Sequence, residues 1–198
     1  LTNRASGKTG RAVARACHVR GADVTLVHDG GDVHYADAVT VESAAEMREA
    51  VLAAVGGGDV SDGGDGADTE ADALVSAAAI SDYTVSTADE KLRSGDPRTL
   101  ELEPTPKLID DVREAHPTLP IVGFKAETSG DDEAMIDAAR EILTRSGLAF
   151  VVANDASVMG DDETRTLFVD GDDTVEFRGA KTALGGEIAD RLAAVLGG

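Results

Sequence analysis

The chain opens Leu1-Thr2-Asn3-Arg4-Ala5-Ser6-Gly7-Lys8-Thr9-Gly10-Arg11-Ala12, a polar, glycine-bearing loop that runs straight into a helix. Ser6 is placed to cap that helix, its hydroxyl accepting from a first-turn N–H. Gly7 and Gly10 carry no Cβ, so a ligand or another backbone can come close. A helix start offers free N–H groups and a partial positive charge, which suits a phosphate. Lys8 and Arg11 add formal charge, and the stretch reads as an anion site for a nucleotide. Two better-known patterns fail. Thr2 stands where a G-x-x-x-x-G-K-[ST] loop needs its first glycine, and Gly7 and Gly10 supply only the last part of G-x-G-x-x-G. A capped helix with closely packed glycines explains the stretch taken alone equally well.

Beyond the loop, strand and helix signals alternate. Apolar residues at helical spacing over 6–20 end at Gly21. Asp23 to Val27 reads as a strand, and Val39 to Val41 as a second. Ser43 caps a helix over about 44–55, with Glu46 completing a capping box. Gly56 to Asp72 lacks apolar periodicity and reads as a flexible, acidic, solvated loop. Its one calcium-repeat-like stretch has Glu70 where a large apolar residue is needed. Ala73 to Ile80 is a continuous apolar run, as in a buried parallel strand, and it ends in Ser81-Asp82-Tyr83. A polar loop over 84–99 leads to a short strand, Leu100 to Glu103. Pro104 and Pro106 break that strand and start a helix through about 115. Strands at 121–126 and 149–153 flank a helix from Asp131 to Ser146 that Gly147 closes. A hairpin at 165–177 and a helix over about 180–195 complete the series. The order predicts an α/β doubly wound, Rossmann-like, mostly parallel sheet with helices on both faces. In such folds a strand precedes the first helix, so the first strand is expected upstream of Leu1.

With 198 residues the chain fits one domain, 1–198. The net charge of −20, from 38 acidic against 18 basic residues, argues against a nucleic-acid partner, because phosphate neutralisation needs a basic surface. No apolar run approaches the roughly 20 residues of a membrane helix, so no membrane partner is expected. The single Cys17 excludes an intrachain disulfide framework and reads as a buried structural thiol of a cytoplasmic protein. Regular apolar segments argue against disorder as the cause of the charge. A halophilic host, where molar salt cuts the Debye length to about 3 Å, accounts for it better. His28 and His34 flank a Gly/Asp loop and read as solvated loop residues.

The strand-end motifs form an ordered set: Thr2 to Gly10, Ala77 to Tyr83, Glu90-Lys91-Leu92-Arg93, Thr105-Pro106, Val122 to Thr128, and Val152-Ala153-Asn154-Asp155. In this order the chain resembles the phosphopantothenate–cysteine ligase family. The resemblance implies a ligase of coenzyme A biosynthesis. It joins 4′-phosphopantothenate to cysteine through an acyl-cytidylate made from CTP, with Mg²⁺. It also implies a homodimer, with the late hairpin as a contact, and FMN only if a decarboxylase domain is fused upstream. By resemblance, Asn3 contacts the substrate's acyl region and Lys91 is the lysine of a mobile loop. Ser6 and Gly7 meet phosphate, and Ala78 and Ala79 lie on the strand that reads the base. Asp82 contacts the nucleotide or Mg²⁺. Phe124 and Lys125 face base and phosphates, and Asn154 and Asp155 complete the pocket. The chain departs from the family where Arg93 and Ser94 follow Lys91, and where a glycine-rich turn and an arginine are expected before Asn3. A nicotinamide-dependent reductase would share the fold, but Thr87 stands where a Tyr83-x-x-x-Lys pair needs lysine. A non-catalytic nucleotide-binding domain is the third reading.

Overall fold

The computed structural model describes residues 6–57, 70–85, 99, 101–127, 131–155, 163–171 and 173–197. Helix α1 spans Lys8–Val19 and leads to β1 (Thr25–His28), β2 (Asp37–Thr40) and α2 (Ala44–Val55). Then come β3 (Leu74–Ser76), β4 (Tyr83–Val85), β5 (Leu102–Pro104), α3 (Leu108–Ala115) and β6 (Ile121–Glu127). The chain ends with α4 (Asp132–Ser146), β7 (Phe150–Asp155), β8 (Glu163–Asp170), β9 (Asp173–Ala180) and α5 (Lys181–Gly197).

The main sheet has the order β3-β6-β7-β8-β9. Its first three strands are parallel, and β8 and β9 add antiparallel steps. Two antiparallel steps restore direction, so β9 runs the same way as β7. Strands β1 and β2 form a separate parallel pair, and β4 and β5 an antiparallel ribbon. The alternation of β and α therefore yields the expected mixed α/β fold.

Side chains alternate across the sheet, so each strand feeds two cores. One joins Val112, Ile121, Val151, Ala153 and Val169 to α2, α3 and α4. The other joins Val122, Phe150, Val152 and Phe168 to Val13 of α1 and Leu184 and Ile188 of α5. Phe124 and Phe177 pack against this second core. All four phenylalanines of the chain thus lie on the α1/α5 side. Phe168 is central: it contacts Phe150 and Phe177, and the Arg191 guanidinium lies 4.3 Å above its ring.

The helices on that side cross without a spacer. A Cβ built on Gly185 would lie 2.6 Å from the Ala12 carbonyl carbon and oxygen, so only glycine admits the crossing. Arg20 secures it, with Nε and Nη2 donating to the two Asp190 carboxylate oxygens at 2.7 and 2.9 Å. On the other side Arg113 donates to the carbonyls of Ser146, His116, Pro117 and Gly147. It thereby joins the ends of α3 and α4 and satisfies carbonyls that helix ends leave open.

Several caps follow the sequence. Ser43 Oγ accepts from Glu46 N–H and Asp131 Oδ1 from Glu133 N–H. The box partner shifts by one, since Glu46 Oε2 accepts from the N–H of Glu42 rather than Ser43. Other expectations need correction. Ser6 does not cap α1: the cap is Gly7, at φ 62°, with no side-chain hydrogen bond. The Ala73–Ile80 run is not a long buried strand. Only Leu74–Ser76 pairs, at the sheet's edge, and every residue of the run keeps some exposure. Apolarity signalled a central strand, but among the described residues β3 has a single neighbour. The polar loop begins later than expected, because Tyr83–Val85 pairs with Leu102–Pro104 and Pro104 lies inside the ribbon. His28 ends β1 instead of lying in a solvated loop, and both its ring nitrogens are enclosed with no hydrogen-bond partner.

Candidate functional site

The start of α1 lies over two strand ends. A Cβ on Gly10 would touch the Ala77 Cβ at 3.7 Å, just past β3. A Cβ on Gly30, just past β1, would lie 3.8 Å from Arg11 Nη1. The β1–β2 pair and the β3–β6–β7 strands belong to separate ladders, and the first turn of α1 touches the segment after each. Open α/β sheets bind ligands beyond the carboxyl ends of their strands, where strand order changes direction. Gly7 takes a left-handed backbone (φ 62°), and any Cβ there would sit 2.9 Å from Arg11 Nη1. The Arg11 guanidinium is folded back over the loop, with Nη2 donating to the Ser6 carbonyl at 2.8 Å.

Beside this turn is a cleft of about 450 Å³, lined by Lys8, Arg11, Ala12, Arg15, Tyr35, Ala180, Lys181 and Thr182. Four of these eight residues are cationic and none is acidic, in a chain with twice as many acidic as basic residues. The cleft therefore departs sharply from the rest of the chain. Because β9 runs parallel to β7, its end at Ala180 brings the start of α5 to the same edge of the sheet. No acidic residue occupies the first turn of α5.

The nominated residues separate into groups. Gly7, Phe124 and Asn154 belong to the α1/α5 side. Asn154 ends the row Phe150, Val152, Asn154 on β7, and its Oδ1 accepts from Thr166 Oγ1 at 2.7 Å. Thr166 is fully buried, so this bond fixes the Asn154 side chain and leaves its NH₂ group as a donor for a ligand. Lys125 does not accompany Phe124. Adjacent strand residues point to opposite faces, and Lys125 lines a small recess with Ala138, Glu141, Ile142 and Arg145 on the α4 side. Phe124 and Lys125 thus present opposite faces of β6.

Ala78 and Ala79 lie beyond β3 and are exposed, not on the strand as expected. The Ala78 carbonyl accepts from Ile80 N–H at 3.2 Å, which turns the backbone there. Asp82 is exposed just before β4, its carbonyl accepting from Thr105 N–H at 2.9 Å. Asn3 and Lys91 lie outside the described residues, as does the side chain of Asp155. Cys17 is half-buried. Burial pushes its thiol pKa up, opposed by the weaker pull of Arg20, so the thiol stays protonated at neutral pH.

Arg15, Tyr35, Lys181 and Thr182 were not nominated from sequence. For Arg15 the signal was present: Lys8, Arg11 and Arg15 recur at i, i+3 and i+7, one face of a helix. Lys181 had none, since its place beside α1 depends on the β8–β9 hairpin turning the chain back.

Among the described residues, no helix is long and apolar enough to cross a membrane. The chain matches a family model described as the DNA/pantothenate metabolism flavoprotein C-terminal domain, over residues 1–196. It is 41% identical over 172 residues to the Coenzyme A biosynthesis bifunctional protein CoaBC of Thermococcus kodakarensis, covering 85% of this chain and 40% of that one. The Mycobacterium tuberculosis protein of the same name is 35% identical over 216 residues, covering 100% of this chain and 49% of its own. The chain thus spans less than half the length of these relatives. A solved DNA/pantothenate metabolism flavoprotein from Streptococcus pneumoniae superposes with a TM-score of 0.79 at 20% identity, covering 98% of this chain and 91% of that one. The C-terminal domain of a Coenzyme A biosynthesis bifunctional protein CoaBC superposes at 0.75 with 24% identity, covering 99% and 86%. At these identities the two structures establish the shared fold.

Proposed function

The chain belongs to the DNA/pantothenate metabolism flavoprotein C-terminal domain family, and on that premise we propose that it is a phosphopantothenate–cysteine ligase of coenzyme A biosynthesis. The observation that carries the reading is the α1 start beside the segments that follow β1 and β3, with Phe124 and Asn154 on the same side of the sheet. The relatives' name, coenzyme A biosynthesis bifunctional protein, supports the pathway.

The reaction has two steps. A carboxylate oxygen of 4′-phosphopantothenate attacks the α-phosphorus of CTP, and pyrophosphate leaves. The amine of cysteine then attacks the acyl carbon, CMP leaves, and an amide forms as the amine gives up a proton. Both substrates of the first step are anions, so positive charge must offset their repulsion. Gly7 and the free N–H groups of α1 suit a phosphate, as does the Arg11 guanidinium lying over them. Asn154, held by Thr166, offers its NH₂ group to the nucleotide. Asn3 is assigned to the acyl oxygen and Lys91 to the acyl-cytidylate, both on the family pattern.

Among the described residues, no three His, Cys, Asp or Glu side chains gather as a metal cage. A single exposed carboxylate, Asp82, fits Mg²⁺ that arrives on a triphosphate and keeps most of its water. There the ion supplies neutralisation of phosphate charge. FMN enters only with a fused decarboxylase domain. A homodimer belongs to the same reading. Its contact in this reading is the late β8–β9 hairpin, where Val175 is 47% exposed. A halophilic setting accounts for the charge, and stability should then rise with KCl in thermal unfolding.

The test is pyrophosphate release from CTP with Mg²⁺ and phosphopantothenate in high KCl, followed by addition of cysteine. Release only with phosphopantothenate, and amide only with cysteine, is expected. Lys91→Ala should lower amide formation far more than CTP binding. No release above the nucleotide-only control sinks the ligase reading and leaves a nucleotide-binding domain.

A further inference from the structure

The geometry points to a second anion site, in the cleft between α1 and the start of α5, that takes the phosphate of a small phosphate ester. Its new determinants are Arg15 and Lys181, with Tyr35 and Thr182 beside them. None of these residues has a part in the ligase chemistry above.

The charge pattern is the first argument. Lys181, one of five lysines in the chain, comes together here with Arg15, beside Arg11. Cations brought together repel each other unless an anion offsets them. Arg165, by contrast, lies against Asp132 and Glu176, and Arg20 against Asp190. Among the described residues, no carboxylate lines this cleft.

Its placement is the second argument. The start of α5 reaches the edge of the sheet where α1 begins, so its free helix N–H groups add to the side-chain charge. The Gly185 crossing and the Arg20–Asp190 pair fix the two helices against each other. The site is therefore preorganised and need not be assembled by the ligand.

Its size and lining set the ligand class. About 450 Å³ exceeds what one inorganic phosphate fills and lies within the range of small-molecule sites. Ala12, Ala180 and the Tyr35 ring provide an apolar wall for an uncharged body, while Thr182 and the Tyr35 hydroxyl can bond it. A phosphate monoester or diphosphate on an organic body meets these conditions. Phosphopantothenate and a nucleotide share that chemistry.

The test is calorimetric titration of the whole chain with inorganic phosphate, pyrophosphate, CMP, CTP and phosphopantothenate, each over a series of KCl concentrations. The variants are the Arg15→Gln/Lys181→Gln pair and the charge-keeping Arg15→Lys/Lys181→Arg pair. At least one ester should bind more tightly than inorganic phosphate and weaken as KCl rises. Its affinity should fall about tenfold or more in the glutamine pair, as expected for losing charge-assisted contacts, and recover in the charge-keeping pair. Which ester shows the larger loss identifies the source of the phosphate. Unchanged affinity in the glutamine pair overturns the site, as does absence of binding by every probe. Pyrophosphate release in the same variants separates the two readings. A failed ligase assay with variant-sensitive ester binding removes the ligase and keeps the cleft. An intact ligase with variant-insensitive binding removes the cleft alone.

Discussion

The two faces of the β3–β6–β7–β8 sheet are equally dry but differently built. The α2/α3/α4 face is packed with aliphatic side chains around Val112, Ile121 and Val151, with no phenylalanine. The α1/α5 face carries all four phenylalanines, the glycine-mediated helix crossing and the basic cleft. Aromatic rings fill space with few rotatable bonds, so they suit a face that must hold two helix starts at fixed positions. One face is aliphatic packing, and the other combines packing with the candidate anion site.

The largest expected effect tests that division with a matched pair. Ile121 and Ile188 are both fully buried, one on each face. Each change to alanine should cost about 2–5 kcal/mol, the sum of lost transfer free energy and a residual cavity. Urea midpoints should therefore fall alike. Ile188→Ala should also weaken phosphate-ester binding, because α5 loses an anchor on the sheet. Ile121→Ala should leave binding unchanged at temperatures where it stays folded. Equal binding losses in the two variants would erase the functional difference between the faces.

What could be read from sequence follows the range of the interaction involved. Helices α2 and α4 were legible because their caps are local: Ser43 and Asp131 lie within three residues of the N–H groups they satisfy. The alternating order of elements was legible from periodicity. Local rules failed for Ser6, where the left-handed Gly7 took over the cap. They failed for Ala73–Ile80 because burial depends on how many strands flank a run, and among the described residues β3 has one. Phe124 and Lys125 were read as one group, whereas the strand's alternation sets their side chains on opposite faces of β6. Period two was available and was not applied. Lys181 was out of reach, because it lies 166 positions beyond Arg15 and only the fold brings them together.

The second pair sharpens the role of the helix crossing. Gly185→Ala drives a methyl to 2.6 Å from the Ala12 backbone, which cannot rotate away. Gly123→Ala meets the Leu148 Cδ1 at the same 2.6 Å, but that atom ends a flexible side chain. Overpacking commonly costs about 1–3 kcal/mol. Gly185→Ala should lie at the upper end, with weakened ester binding, and Gly123→Ala at the lower end, with binding retained. The comparison is made by thermal unfolding and titration. A larger loss for Gly123→Ala would show that the α1/α5 crossing has more give than its backbone contact suggests.

The smallest effect compares the ion pairs of the two sides. Near α4, Arg165 donates to both carboxylate oxygens of Asp132 at 2.6 Å and to Glu176 at 2.7 Å. Its hydrogen bond holds the Asp132 pKa below the ordinary 3.8. Glu176 is held below 4.5 first by Arg178 and then by Arg165. Between α1 and α5, Arg20 lowers Asp190 alone. A carboxyl whose folded pKa is depressed adds stability above its unfolded pKa and loses it as pH falls through the folded value. Urea midpoints should therefore be flat from neutrality to about pH 5 and decline below about pH 4, near the unperturbed carboxyl values. All three carboxylates are exposed, so the decline should be shallow and should shrink further as KCl rises. Arg165→Met should flatten it more than Arg20→Met, because Arg165 acts on two carboxylates and Arg20 on one. Equal slopes in both variants and the parent would mean that these pairs contribute nothing to folding on either side. The difference between the faces would then rest on packing and the basic cleft alone.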